Sequence, residues 1–239
     1  MDAPALDGVP LLLAELDGYI QQERLALLCR ADLPGPLLER LSRGDDNPLA
    51  RSLRRLWTYH HSRVGPLQDD VRDIIFELPA PVLELGAGIG AHGRAAGLTA
   101  VELDWVLLSR NPAERRVVAD ALSPPFAPGG FASVVALNLL DSCRDPLALL
   151  HAIDAQLAPG GALLLATPFA YEDAVTPIHL QLDEAEVEAF FIERGYALER
   201  AALDWPLHTH PRTCSVHQAL RWRGRKPGAP SGTSGASGV

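Results

Sequence analysis

The sequence predicts an α/β fold: a mostly parallel seven-stranded sheet with an antiparallel last strand, preceded by a helical cap. Three observations predict it. The apolar run Val82-Leu83-Glu84-Leu85 delivers the chain to Gly86-Ala87-Gly88-Ile89-Gly90, where glycines at alternate positions give a tight turn that a ligand can approach closely. Two further short runs, Thr99 to Leu103 and Arg115 to Ala121, each carry an acid near the C-terminal end. The first 77 residues contain no good strand. The composition suits one good-sized core: 239 residues, 47% hydrophobic and 21% charged.

In order, helices are expected at Pro10 to Cys29, Pro36 to Leu41, Pro48 to Ser62 and Pro66 to Glu77, most with Pro where a first turn tolerates it. Leu49, Leu53, Leu56 and Trp57 give the third an apolar stripe. The first strand, Val82 to Leu85, leads through the glycine turn to a helix starting near Ala91, whose N-terminal amides would face the ligand. Strands follow at Thr99 to Leu103, Arg115 to Ala121 and Val134 to Asn138. A helix from Pro146 to Leu157 and an Ala158-Pro159-Gly160-Gly161 turn lead into the strand Ala162 to Ala166. Asp183 and Glu186 form a capping box for the helix Glu184 to Arg194, which Gly195 closes. The strands Tyr196 to Pro206 and Cys214 to Trp222, joined by Leu207 to Thr213, make an antiparallel hairpin. From Arg225, Pro, Gly, Ser and Thr leave little to bury, which predicts a disordered tail over residues 225–239.

A net charge of −9 argues against a general nucleic-acid binder. The Arg51, Arg54, Arg55 and Arg63 patch is either a solvated helix face or a site for an acidic partner. No segment resembles a signal peptide or approaches a membrane span. Cys29, Cys143 and Cys214 show neither an even count nor C-x-x-C spacing, which favours a reducing cytoplasm over a disulfide framework or a zinc site.

Gly86 to Ala91 satisfies the relaxed dinucleotide pattern, so the glycines alone admit NAD. Glu84 tips the balance, because a carboxylate there repels a pyrophosphate and suits a cationic ligand. The stretch resembles the first motif, (D/E)-x-G-x-G-x-G, of the class I S-adenosylmethionine-dependent methyltransferases, with every position met. That resemblance spans roughly residues 80–168 and implies a Rossmann-like seven-stranded methyltransferase fold with S-adenosyl-L-methionine as cofactor. On it, Glu84, Gly86, Ala87 and Gly88 hold the methionine part, Glu102 with Leu103 the ribose, and Asp120 with Ala121 the adenine. The expected organisation is a cap over 1–77, the methyltransferase domain over 78–224 and the tail beyond.

Leu137-Asn138-Leu139-Leu140-Asp141-Ser142-Cys143, continuing to Pro146-Leu147, resembles the DREV-type protein histidine N1-methyltransferases. A related Asn-Leu-Leu run occurs in the ovothiol-type mercaptohistidine N-methyltransferase domain. The resemblance implies that Asn138 and Asp141 are the catalytic pair that holds an imidazole, in a peptide or protein histidine or a small histidine derivative, with Asn138 also able to contact the cofactor. A neutral imidazole needs mainly orientation towards the methyl carbon. Asp141 accepting the second ring N–H would fix the tautomer. The family's aromatic pair on the last strand is missing from Cys214 to Gln218, which opens the way to a different imidazole substrate.

Tyr171 and His217 are the remaining candidates for the substrate pocket, while Trp57, Tyr59 and Trp205 are either core or pocket wall. His60 and His61 cannot face the same way on a helix, and His208, His210 and His217 do not make a convincing metal set, so no metal is expected. His208-Thr209-His210 repeats the His-x-His pattern that the resembled family modifies. Self-methylation there is a hypothesis that an unchanged intact mass after incubation with cofactor would eliminate. Three rivals stay open: an O- or C-methyltransferase of secondary metabolism, a non-catalytic partner protein that keeps the fold, and an NAD-dependent oxidoreductase.

Overall fold

The computed structural model describes residues 5–6, 9–10, 48–62, 64–90, 97–210 and 212–229. Beyond Pro10, the helices expected at Pro10–Cys29 and Pro36–Leu41 lie outside these residues. So do the first turns of the helix expected near Ala91, residues 230–239 of the tail, and the side chains of Arg51, Arg54 and Arg63.

Nine strands are seen among the described residues. β1 (Ala5–Leu6) and β2 (Val9–Pro10) form a minimal antiparallel pair, where no strand was expected. Two residues each are too few for alternation to show in sequence. Next come α1 (Pro48–His61), α2 (Pro66–Glu77), β3 (Val82–Leu85), β4 (Leu98–Glu102), α3 (Trp105–Leu108) and β5 (Arg115–Val118). They are followed by β6 (Phe131–Leu137), α4 (Pro146–Gln156), β7 (Leu157–Thr167), α5 (Glu184–Ile192), β8 (Ala197–His210) and β9 (Thr213–Arg225).

The main sheet has seven strands in the order β5-β4-β3-β6-β7-β9-β8. β3 to β7 pair in parallel, and β9 runs antiparallel to both β7 and β8, as expected. The order reverses between β4-β3 and β3-β6, and at such a switch the strand ends leave a crevice. Helices cover both faces. Leu56, Trp57, Ile75 and Trp105 pack on one side; Leu149, Ile153, Phe191 and Trp222 pack on the other. β3 is buried along its whole length, consistent with a central parallel strand.

Besides the β1–β2 pair, three elements differ from the sequence expectation. The Ala158–Gly161 turn lies within β7: Leu157 already pairs with Phe131, the register then shifts, and pairing resumes at Ala162 with Ser133. The final hairpin is longer than expected, with Leu207 to His210 paired in β8 and Thr213 in β9. Pro206 is tolerated because β8 is an edge strand. The hairpin's far half therefore extends past its pairing with β7 and packs Leu203, Trp205 and Leu207 against the α1–α2 side. α3 was not anticipated; the Asp104 carboxylate starts it by accepting the N–H groups of Val106 (2.9 Å) and Leu107 (3.4 Å). The Asp183–Glu186 capping box is present, and Gly195 closes α5 at φ 77°.

The hairpin is locked to α2 by Arg221, buried on β9, which donates to both carboxylate oxygens of Asp70 at 2.9 and 3.3 Å. Beyond the expected Trp222, β9 continues to Arg225, and the Lys226 N–H donates to the Gly161 carbonyl.

Candidate active site

At the end of β3 the chain turns through Gly86 at φ 66° and Gly90 at φ 68°, a left-handed conformation that costs other residues about 1–2 kcal/mol. Space demands glycine too. A Cβ on Gly86 would stand 2.8 Å from the Leu139 side chain, and one on Gly90 would stand 2.6 Å from Asn111. The buried Asn111 clamps the turn: its amide donates to the carbonyls of Ala87 (3.3 Å) and Gly88 (3.2 Å), and its oxygen accepts the Ala113 N–H (2.9 Å).

Of the acids predicted at the strand ends, Glu102 meets this turn. Glu102 accepts the N–H of Gly88 and of Asp104, both at 2.9 Å, one on each oxygen. A second lone pair on each oxygen is left for a diol. Asp120 accepts the Leu122 N–H at 2.9 Å and an Arg144 N–H at 2.6 Å, in a bridge between the β5 end and the loop before α4. Glu84 is 4% exposed, and one of its oxygens has no hydrogen-bond partner among the described residues. Burial, reinforced by the Glu102 charge, pushes its pKa up to about 8. Burial also raises the pKa of Glu102.

These groups border a cavity of about 360 Å³. Glu84, Gly86, Ala87, Gly88, Glu102, Leu103, Asp120, Ala121 and Asn138 all line it. Asn138 sits just past β6 at φ 51°, with its N–H bound to the Ala166 carbonyl at 2.7 Å and its side-chain oxygen buried without a partner among the described residues. Helix α1 closes the cavity with Arg55 and Tyr59, Ser62 joins them just past its end, α2 adds Gln68 and β8 adds Trp205. Desolvation pushes the Tyr59 hydroxyl up to about 12. Trp57 is core instead, stacked on His61 at 4.2 Å.

Asp141, Tyr171 and His217 are not among the lining residues. Asp141 is buried beside the cavity; one oxygen accepts the Ala170 N–H at 2.9 Å and the other has no partner among the described residues. Desolvation raises its pKa, and its charge is felt by Tyr59 in the cavity wall and by His217. The Tyr171 hydroxyl is held by the backbone of Leu182, donating to its carbonyl at 3.0 Å and accepting its N–H at 3.2 Å. His217 is half-buried, its ring 5.6 Å from that of Trp205. His208 gives its backbone N–H to Ser62 at 2.9 Å, and the His210 side chain lies outside the described ones. Among the described residues, no group of three or more His, Cys, Asp or Glu is placed to hold a metal ion.

Sequence reasoning missed Asn111, Arg144, Ser62 and Gln68. One signal was available for Ser62: Arg55, Tyr59 and Ser62 stand at i, i+4 and i+7, a second stripe on α1 beside the apolar one.

The methyltransferase-domain family matches residues 49–226. The chain belongs to that family. This S-adenosylmethionine-dependent methyltransferase is also similar in fold to several solved structures. One is an S-adenosylmethionine-dependent methyltransferase of Thermotoga maritima, described as a possible histamine N-methyltransferase; it is 14% identical at a TM-score of 0.50, covering 70% of this chain and 93% of that one. Another is a Haemonchus contortus phosphoethanolamine N-methyltransferase, 15% identical at a TM-score of 0.54, covering 80% of this chain and 60% of that one. The YcgJ protein of Bacillus subtilis is 16% identical at a TM-score of 0.53, covering 71% and 100%. At these identities the likeness is one of fold. No curated protein matches the chain. No helix among the described residues of this methyltransferase is long and apolar enough to cross a membrane.

Proposed function

We propose that this methyltransferase N-methylates a neutral imidazole, on a histidine of a peptide or on a small histidine derivative. The observation that carries the reading is the chemistry of the cavity's lining. Among the described residues it contains no His or Lys, and each of its carboxylates already has a task. Glu102 and Asp120 are held by their partners, and Glu84, buried at the end of β3, is assigned to the cofactor's ammonium. With no free base, the acceptor must arrive with its lone pair available. An imidazole, with a pKa of about 6.5, does so at neutral pH; an alkyl amine, at about 10, and a hydroxyl do not.

S-adenosylmethionine, when bound, supplies a methyl group on a sulfonium that an in-line nucleophile can take. Glu84, with its unpartnered oxygen, suits the cofactor's ammonium, and Glu102 its ribose hydroxyls. Asp120 and Ala121 border the adenine end, where Arg144 already occupies one oxygen of Asp120. Asn138, left-handed at the wall, presents its amide to the ring and fixes the direction of the lone pair, a proximity effect. Asp141 acts from behind that wall. It anchors the loop after β7 through Ala170, and its charge offsets the positive charge that grows on the ring.

The test is methyl transfer from labelled cofactor to imidazole-bearing peptides and small imidazoles, alongside amine and phenol acceptors, with the modified atom located by fragmentation. Label on an imidazole nitrogen is expected. Transfer confined to amine nitrogen, oxygen or carbon overturns the reading.

A further inference from the structure

We propose that Tyr59, the side chain of α1 that covers the glycine turn, recognises the positive charge on the cofactor's sulfur and so separates S-adenosylmethionine from its spent product, S-adenosylhomocysteine. The inference rests on the assignment of the cofactor's ends made above and holds for any acceptor.

The place of the sulfonium follows from covalent connection. In S-adenosylmethionine the charged sulfur joins the methionine chain to the ribose. Glu84 and the glycine turn are assigned the first part and Glu102 the second. The two assignments meet at Gly88, which belongs to the turn and gives its N–H to Glu102 at 2.9 Å. Gly88 also differs from the other glycines of the turn. Gly86 and Gly90 are crowded by Leu139 and Asn111, whereas a Cβ on Gly88 would lie at ordinary contact distance, 3.6 Å from Tyr59 Cδ2 and 3.7 Å from Cε2. Among the described residues nothing else comes within 4 Å of that point. The contact runs through one edge of the ring, which leaves its faces to the sides, and Tyr59 lines the cavity.

An aromatic ring suits this charge. A sulfonium has no N–H or O–H to donate, and the π face of a ring attracts a cation without a hydrogen bond. Desolvation holds the Tyr59 hydroxyl in its protonated form at neutral pH, so the ring does not compete for the methyl group. The charges that act on that hydroxyl agree with the reading. Arg55, one turn earlier on α1, draws its pKa down; the carboxylates of Glu102, Asp141 and Asp104 push it up. The carboxylates favour a cation here, and the cofactor brings a carboxylate of its own to answer the guanidinium. The spent product keeps the ammonium, the carboxylate and the ribose and loses only the charge on sulfur. A difference in affinity between the two ligands therefore isolates the group that reads this charge.

The experiment is calorimetric titration of the acceptor-free protein with S-adenosylmethionine and with S-adenosylhomocysteine. Tyr59→Leu is expected to weaken the first about five- to tenfold more than the second, the effect of one desolvated cation–π contact. Tyr59→Phe keeps the ring and is expected to hold the wild-type ratio of the two dissociation constants to within about twofold. Trifluorophenylalanine at this position keeps the shape while withdrawing charge from the ring face, and should move the ratio in the same direction as Leu, by about threefold. An unchanged ratio in the Leu and trifluorophenylalanine variants overturns the proposal. Equal loss of both ligands, or a Phe variant that behaves like Leu, overturns it too. Glu102→Ala is expected to weaken both ligands alike; if it leaves both affinities untouched, the assignment of the cofactor's ends falls and this inference with it. Imidazole methylation stands or falls separately, on the labelled-cofactor assay.

Discussion

The two walls of the cavity are built on different principles. On the sheet wall, most functional polar groups are tied to backbone: Glu102 to Gly88 and Asp104, Asp120 to Leu122, and the glycine turn itself to Asn111. On the helix wall, Tyr59, Gln68 and Trp205 come from three separate elements that only contacts distant along the chain bring together. The difference teaches what each wall does. A wall whose bonds are made in advance holds a ligand of fixed shape. A wall assembled from separate elements can change one side chain at a time without disturbing the other wall.

The contrast is broken most severely at Gly86. Gly86→Ala places a methyl against Leu139 and keeps a left-handed backbone, so binding of S-adenosylhomocysteine should fall by about a hundredfold or more, the effect of some 3 kcal/mol of overpacking and strain; calorimetry reads it. Asp141→Ala should come next. Turnover drops by about one to two orders of magnitude from lost stabilisation of developing charge, while affinity for the cofactor product stays within a few-fold, as single-turnover and binding measurements would show.

Glu84 sharpens the comparison through pH. Its pKa near 8 lies above the ordinary carboxylate value of 4.5, so the ligand-free fold holds this proton more tightly than the unfolded chain does. That contribution is complete below pH 4.5 and is lost as pH rises through 8; Glu84→Gln should flatten this slope in denaturation curves. Binding a cationic ligand demands the ionised form. At pH 7 the wild type should therefore release a proton on binding, seen as an enthalpy that varies with buffer, and its affinity should rise by about fivefold between pH 7 and pH 8. Asn111→Ala should cost about 1–3 kcal/mol of stability through the carbonyls it unties, measured in urea. Arg144→Ala, at an exposed bridge, should change stability by less than about 1 kcal/mol.

The same contrast explains what the sequence disclosed. The residues of the sheet wall sit at or just beyond C-terminal ends of strands, and a parallel sheet brings those ends to one edge whatever the intervening loops do. Glu84, Glu102 and Asp120 were therefore legible from local pattern, as were the capping box on α5 and the antiparallel hairpin. The helix wall depends on contacts distant along the chain. Gln68 reaches the cavity because Gly65 lets the α1–α2 turn close on Pro206, and Trp205 because the hairpin outruns β7. Neither closure has a local signature. Asp141 was legible as a candidate, but the Ala170 contact that sets it behind the wall needed the loop after β7 to be placed.

The left-handed backbone at Asn138 has a consequence for how such an enzyme can change. At φ 51° that position admits Asn, Asp or Gly readily and penalises most other residues, so this point of the cavity wall, proposed above to orient the acceptor, is nearly closed to variation. Helix faces carry no such restriction. On the proposed mechanism, side chains on α1, α2 and the hairpin can therefore be exchanged with the sheet wall inherited intact.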